Sequence, residues 1–147
     1  MNRQSTDPQT SIELRVRTMR TIWIAMLLSI GAYFVFTIVR ERPEELGQNP
    51  TVSLALLVGA MVAAVVSFPI KSKLLNQAIE QQQIPMVQQA YVVAWTITEV
   101  GALFGLLDYF ITGNRYYYAP LIIAACGLLL HFPRREAVLN AAFRDTL

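Results

Sequence analysis

Apolar residues run almost unbroken through four stretches of this chain, Thr21 to Val39, Thr51 to Ile70, Val87 to Ile111 and Tyr116 to Phe132, with short polar segments between them. Each stretch approaches the roughly 20 residues that an α-helix needs to cross about 30 Å of hydrocarbon, and the fourth is the shortest. Backbone amides in lipid must be satisfied within the segment. These runs are also too long and too continuously apolar for barrel strands, so the pattern predicts transmembrane helices. The expected fold is all-α: a polytopic membrane protein with four transmembrane helices in two hairpins of the same sense. The chain then divides into an N-terminal amphipathic stem (1–20), a first hairpin (21–70), a connector (71–86), a second hairpin (87–132) and an amphipathic tail (133–147).

Punctuation along the chain supports these limits. Thr10 and Glu13 fit a capping box, and Asp7 followed by Pro8 offers an alternative start for the first helix. Ile12, Val16 and Met19 recur at helical spacing, which predicts a stem lying on headgroups or on a neighbouring element. Pro50 and Pro85 suit the first turns of the second and third helices, and Gly113 with Asn114 suits the end of the third. Leu74, Leu75, Ala78 and Ile79, and again Val138, Leu139, Ala142 and Phe143, read as short amphipathic segments. Trp23, Tyr116, Tyr117 and Tyr118 fall where aromatic belts form.

Composition leaves no room for a separate soluble domain. Hydrophobic residues make up 54% of the 147 and charged ones only 15%, far from the balance of soluble domains. The first stretch is too long for a leader core, and Arg40, Glu41 and Arg42 follow it where a small-residue cleavage site would stand. Arg3, Arg15, Arg17 and Arg20 precede the first stretch, Lys71 and Lys73 follow the second, and Arg134, Arg135 and Arg144 follow the fourth. The other side holds only Arg40, Arg42 and Arg115, with an acidic loop at Glu41, Glu44 and Glu45. The positive-inside rule therefore predicts a multi-pass protein of the cell membrane with both termini cytoplasmic. A net charge of +2 gives no reason to expect nucleic acid.

Glu99 is the chief candidate for chemistry, because it stands midway along the third stretch. A carboxylate at that depth costs several kcal/mol or more, so such residues face protein or water and are functional candidates. Asp108 is close enough to the helix end to reach the outer headgroups. Gly101 and Gly105 form a G-x-x-x-G pair on a different side of the helix from Glu99, and Asp108 shares the glycine side. Ala55, Gly59 and Ala63, with Ala60 and Ala64 beside them, form the small-residue stripe expected to pack there. Gly31 is a further close-packing candidate.

The two halves also echo one another. Phe68, Pro69, Ile70, Lys71 and then Leu75, Asn76, Gln77, Ala78 reappear as Phe132, Pro133, Arg134, Arg135 and Leu139, Asn140, Ala141, Ala142, at a constant offset of 64 residues. Ile30 to Phe34 echo Val100 to Phe104 at an offset of 70. Like-oriented copies imply a parallel repeat about an axis along the membrane normal. The alignment sets Glu99 opposite Ser29, so the carboxylate is unique to one copy.

The run Thr98, Glu99, Val100, Gly101, Ala102, Leu103, Phe104, Gly105, Leu106 resembles the carboxylate helix of rotary ATPase proteolipids. That resemblance implies a proton- or cation-binding carboxylate at Glu99 in a hairpin that packs side by side into an oligomer. The dense glycine repeat of the first proteolipid helix is missing here, as is the usual basic-polar-proline loop motif.

Other chemistry finds little support. His131 is the sole histidine and reads as an interface residue; Cys126 is the sole cysteine and reads as a small buried packing residue. No metal set, phosphate loop or nucleophile beside a base is recognisable, so neither cofactor nor enzymatic activity is expected. Two functions remain: a non-catalytic packed subunit or accessory component of a membrane assembly, homo- or hetero-oligomeric, or proton or cation translocation through Glu99 with Ser29 beside it. When protonated, Glu99 would instead donate to Ser29, to Thr96 or to a neighbouring carbonyl.

Overall fold

The computed structural model describes residues 8–40 and 49–142. Arg3, Asp7, Glu41, Arg42, Glu44, Glu45, Phe143 and Arg144, which entered the reading of the sequence, lie outside the described residues. Five helices follow in order: α1 (Pro8–Val39), α2 (Pro50–Glu80), α3 (Ile84–Thr112), α4 (Tyr118–Leu130) and α5 (Arg135–Ala142). Among the described residues there are no strands. Three helices, α1, α2 and α3, are long and apolar enough to cross a membrane, and α4 is a shorter apolar helix.

Local chemistry accounts for the helix limits. Pro8 and Pro50 open their helices, and Asn49 caps α2 by accepting from the Val52 amide at 3.3 Å. The α2–α3 turn is only residues 81–83, and Gln82 adopts φ 50° within it. Gly113 ends α3 with φ 59°, where a residue without a Cβ avoids steric cost.

The connector expected at 71–86 is mostly a continuation of α2, which runs 31 residues through Pro69 to Glu80. In the second copy of the Phe-Pro motif the helix instead stops. The His131 amide bonds back to the Leu128 carbonyl at 3.1 Å, and residues 132–134 are non-helical before α5 begins. A proline denies one amide to the helix, and here the same motif is carried through once and broken once. In consequence α4 has 13 residues and a length of about 20 Å.

Packing centres on α3. The α2–α3 pair forms the most extensive interface, α4 lies against both, and α1 rests on α3 and α4 while scarcely touching α2. The expected first hairpin therefore straddles the α3–α4 pair and does not close on itself. Small residues permit the close approaches. A Cβ on Gly101 would stand 3.4 Å from the Ala60 carbonyl oxygen on α2, whereas one on Gly105 would stand 2.9 Å from the Tyr117 carbonyl oxygen near the start of α4. The two glycines thus serve two different neighbours. Gly59 lies beneath the Phe104 ring, Ala63 is half-buried and Ala55 is exposed. Gly31 has open space where its side chain would be.

The stem of α1 is covered by protein. Ile12, Val16 and Met19 are buried in one cluster with Val87, Val138 and Ala141, and Arg135 reaches Glu13 across the α1–α5 contact at 3.9 Å. Cys126, by contrast, is exposed. The buried face of α4 follows Leu121, Ala124 and Leu128, and Cys126 lies about 200° around from Ala124. Of the tyrosine run, Tyr116 and Tyr118 are exposed while Tyr117 is buried under the Tyr109 ring, with centroids 5.0 Å apart.

Candidate functional site

Three polar clusters interrupt the apolar packing, and each joins α3 or its neighbours to another helix. The first contains Glu99. Ser29 and Tyr33 stand one turn apart on the same side of α1, so both hydroxyls can reach one point on α3. Ser29 Oγ donates to Glu99 Oε1 at 2.6 Å and Tyr33 Oη donates to the same oxygen at 3.3 Å. Glu99 is half-buried, and among the described residues no hydrogen bond reaches its Oε2, which is not sealed from the surface. Thr96 bonds instead to the Val92 carbonyl of its own helix. Sequence reasoning brought Ser29 to Glu99 but missed Tyr33, which the spacing of four from Ser29 could have indicated.

The second cluster overturns the solvated reading of Asp108, which is only 2% exposed. It shares the side of α3 that carries Gly101 and Gly105, and that side turns inward whatever its depth. Ser53 Oγ and Thr112 Oγ1 each donate to Asp108 Oδ1 at 2.6 Å, and Asn114 Nδ2 donates to Oδ2 at 3.3 Å. Ser53, Asp108 and Asn114 line an open cleft of about 750 Å³ with Asn49, Tyr116 and Pro120. Replacing Asp108 by alanine would take the carboxylate acceptor from the buried Ser53 hydroxyl, and a buried donor left unpaired costs about 1–3 kcal/mol. We expect Asp108→Ala to lose about 2 kcal/mol or more in reversible unfolding from mixed micelles, and Asp108→Asn, which keeps one carbonyl acceptor, to lose less than half as much.

The third cluster lies at the end of the bundle marked by Lys71 and Arg134, and it corrects the reading of His131 as a wetted interface residue. His131 stands just past the last residue of α4 and is fully buried. Lys71 Nζ lies 2.9 Å from Nδ1, and Ser67 Oγ lies 2.6 Å from Nε2. An ammonium can only donate, so Nδ1 accepts and the ring proton sits on Nε2. Ser67 then accepts from the ring and sends its own proton to the Ala64 carbonyl at 2.6 Å. The Trp95 indole donates to the His131 carbonyl at 3.0 Å, and the Trp23 indole donates to the Leu128 carbonyl at 2.8 Å, so both rings hold the end of α4. Ser67 thus faces a protonated nitrogen inside a sealed core, which disqualifies the pair as nucleophile and base.

Both hydrogen-bonded pairs missed or half-seen in the sequence sit at the offsets of its internal echo. Ser67 and His131 precede the two Phe-Pro motifs at a separation of 64, and Ser29 and Glu99 are separated by 70. Among the described residues no three side chains of the metal-ligating types come together. Comparison with known protein families, characterised proteins and solved structures finds no match for this chain.

Proposed function

We propose that the chain is an integral membrane protein whose four apolar helices lie in the bilayer with both termini and the α2–α3 turn in the cytoplasm, and that it is a non-catalytic packed component of a membrane assembly. The observation that carries this reading is the uncovered surface of α1. Only 11% of its most apolar stretch is buried within the chain, against 44% for α3. Leu28, Val35, Ile38 and Val39 are all more than half exposed, and a continuous apolar face of this size calls for lipid or another protein. Gly31 opens onto that face and would let a second helix approach closely. The three polar clusters support a structural role, since each ties helices together.

A photo-crosslinking residue in place of Val35 tests the assembly. Protein adducts in native membranes are the expected result. Adducts to lipid alone, from a chain that is monomeric in mild detergent, would overturn the reading.

Proton or cation translocation is favoured by one observation: Glu99 Oε1 is held by two hydroxyls while Oε2 is left open. The resemblance of residues 98–106 to the proteolipid carboxylate helix agrees with it. Glu99→Gln retains the acceptor for Ser29 and Tyr33, so its cost in stability should stay under about 1 kcal/mol. On the translocation reading it also abolishes carbodiimide labelling and pH-driven ion flux into proteoliposomes; flux equal to that of the parent chain would eliminate it.

A further inference from the structure

The two copies of the Phe-Pro echo meet across one cleft of about 420 Å³ at the Lys71 end of the bundle. Lys71, Ser72 and Asn76 line it from α2, Tyr91 from α3, Arg134 from the segment before α5 and Asn140 from the last turn of α5. Asn76 and Asn140 are equivalent positions of the echo, 64 residues apart. The rest of the lining is Leu75, Ile79, Leu130, Phe132 and Ala137, together with the carboxylate of Glu136.

Charge in this cleft is unbalanced. Lys71 Nζ gives one of its three protons to His131 Nδ1 and sits 5.4 Å from the Tyr91 ring centroid and 5.8 Å from that of Phe68. Arg134 is pinned by its backbone, whose amide donates to Tyr91 Oη at 3.4 Å. Among the described residues the sole ion pair joins Arg135 to Glu13, so neither Lys71 nor Arg134 is paired with a carboxylate; Glu136 in the lining is exposed and forms an ion pair with neither, which leaves two cations against one carboxylate. Two cations, a hydroxyl and two side-chain amides around one space are suited to several oxygens of one anion. The apolar wall beside them suits an acyl chain leaving that anion toward the core.

We propose that this cleft binds a phosphate group, held by Lys71 and Arg134 with Asn76 and Asn140 as amide donors. The phosphate can belong to an anionic lipid or be free in solution. The lipid source rests on the membrane reading above, whereas the phosphate site does not.

The test uses the full chain in an uncharged glycoside detergent, titrated with dihexanoyl phosphatidylglycerol and, separately, with inorganic phosphate, and binding is read by thermal shift and native mass spectrometry. Arg134→Gln and Asn140→Ala are the variants, because both side chains are exposed and can be altered without touching the His131 cluster; circular dichroism checks their folding. Phosphatidylglycerol binding that weakens about tenfold in Arg134→Gln and less in Asn140→Ala supports a lipid phosphate. Binding of inorganic phosphate with the same loss supports the site with a free ligand. Failure of both probes to bind, or affinities unchanged in both variants, overturns it. If the chain fails to insert into liposomes yet binds phosphatidylglycerol in detergent, the membrane reading falls and the phosphate site stands.

Discussion

Gly105→Val is expected to force α3 and α4 apart and to cost about 3 kcal/mol or more, at the upper end of overpacking effects. The first carbon of the new side chain would lie 2.9 Å from both the Tyr117 carbonyl oxygen and Leu121 Cγ. A flexible side chain could swing aside, but the carbonyl belongs to the backbone that enters α4. The strain must therefore move a helix that is only 13 residues long and is held at its far end by two indole hydrogen bonds. Gly31→Val provides the contrast. Nothing stands within 4 Å of the added carbon, so the isolated chain should change by less than about 0.5 kcal/mol. Unfolding of both variants in mixed micelles checks the difference, and loss of assembly by Gly31→Val alone would place the partner on the α1 face.

His131→Ala should cost about 3 kcal/mol, combining a cavity with the loss of the acceptor for a cation that is only partly exposed. Lys71 would keep its charge beside the Phe68 and Tyr91 rings with its nitrogen partner gone. The diagnostic result is the double variant Lys71→Met with His131→Leu. Replacing both partners by apolar groups of similar size removes the unpaired charge, and it should be less harmful than His131→Ala alone. An additive double variant would show that the pair is not coupled.

Depth along a helix and direction around it were legible to different degrees. The four apolar stretches, the stem of α1, the opening prolines and the Gly113 stop could be read from local pattern, because each depends on residues a few positions apart. Asp108 shows where that reasoning ends. Its distance from the turn suggested water, yet its shared side with Gly101 and Gly105, visible in the spacing, already pointed to the interior. Spacing also placed Cys126 on a helix without showing which side of α4 would be covered. The internal echo held more than was drawn from it, since two hydrogen-bonded pairs stand at its own offsets of 64 and 70 residues. These are Ser67 with His131 and Ser29 with Glu99, although α1 and α2 do not pack together as α3 and α4 do.

By itself the amino-acid sequence determined an all-helical chain with long apolar segments and one carboxylate placed midway along the third, because helix formation and hydrophobic length are properties of contiguous residues. Tertiary structure alone decided that α1 leans on α3 and α4 and not on α2, that Tyr33 joins Ser29 at Glu99, that Asp108 and His131 are buried, and that Lys71 and Arg134 share a cleft. Those outcomes depend on which helix faces meet, and in apolar helices of nearly uniform hydrophobicity the choice is made by a few small residues and buried polar partners far apart in the chain.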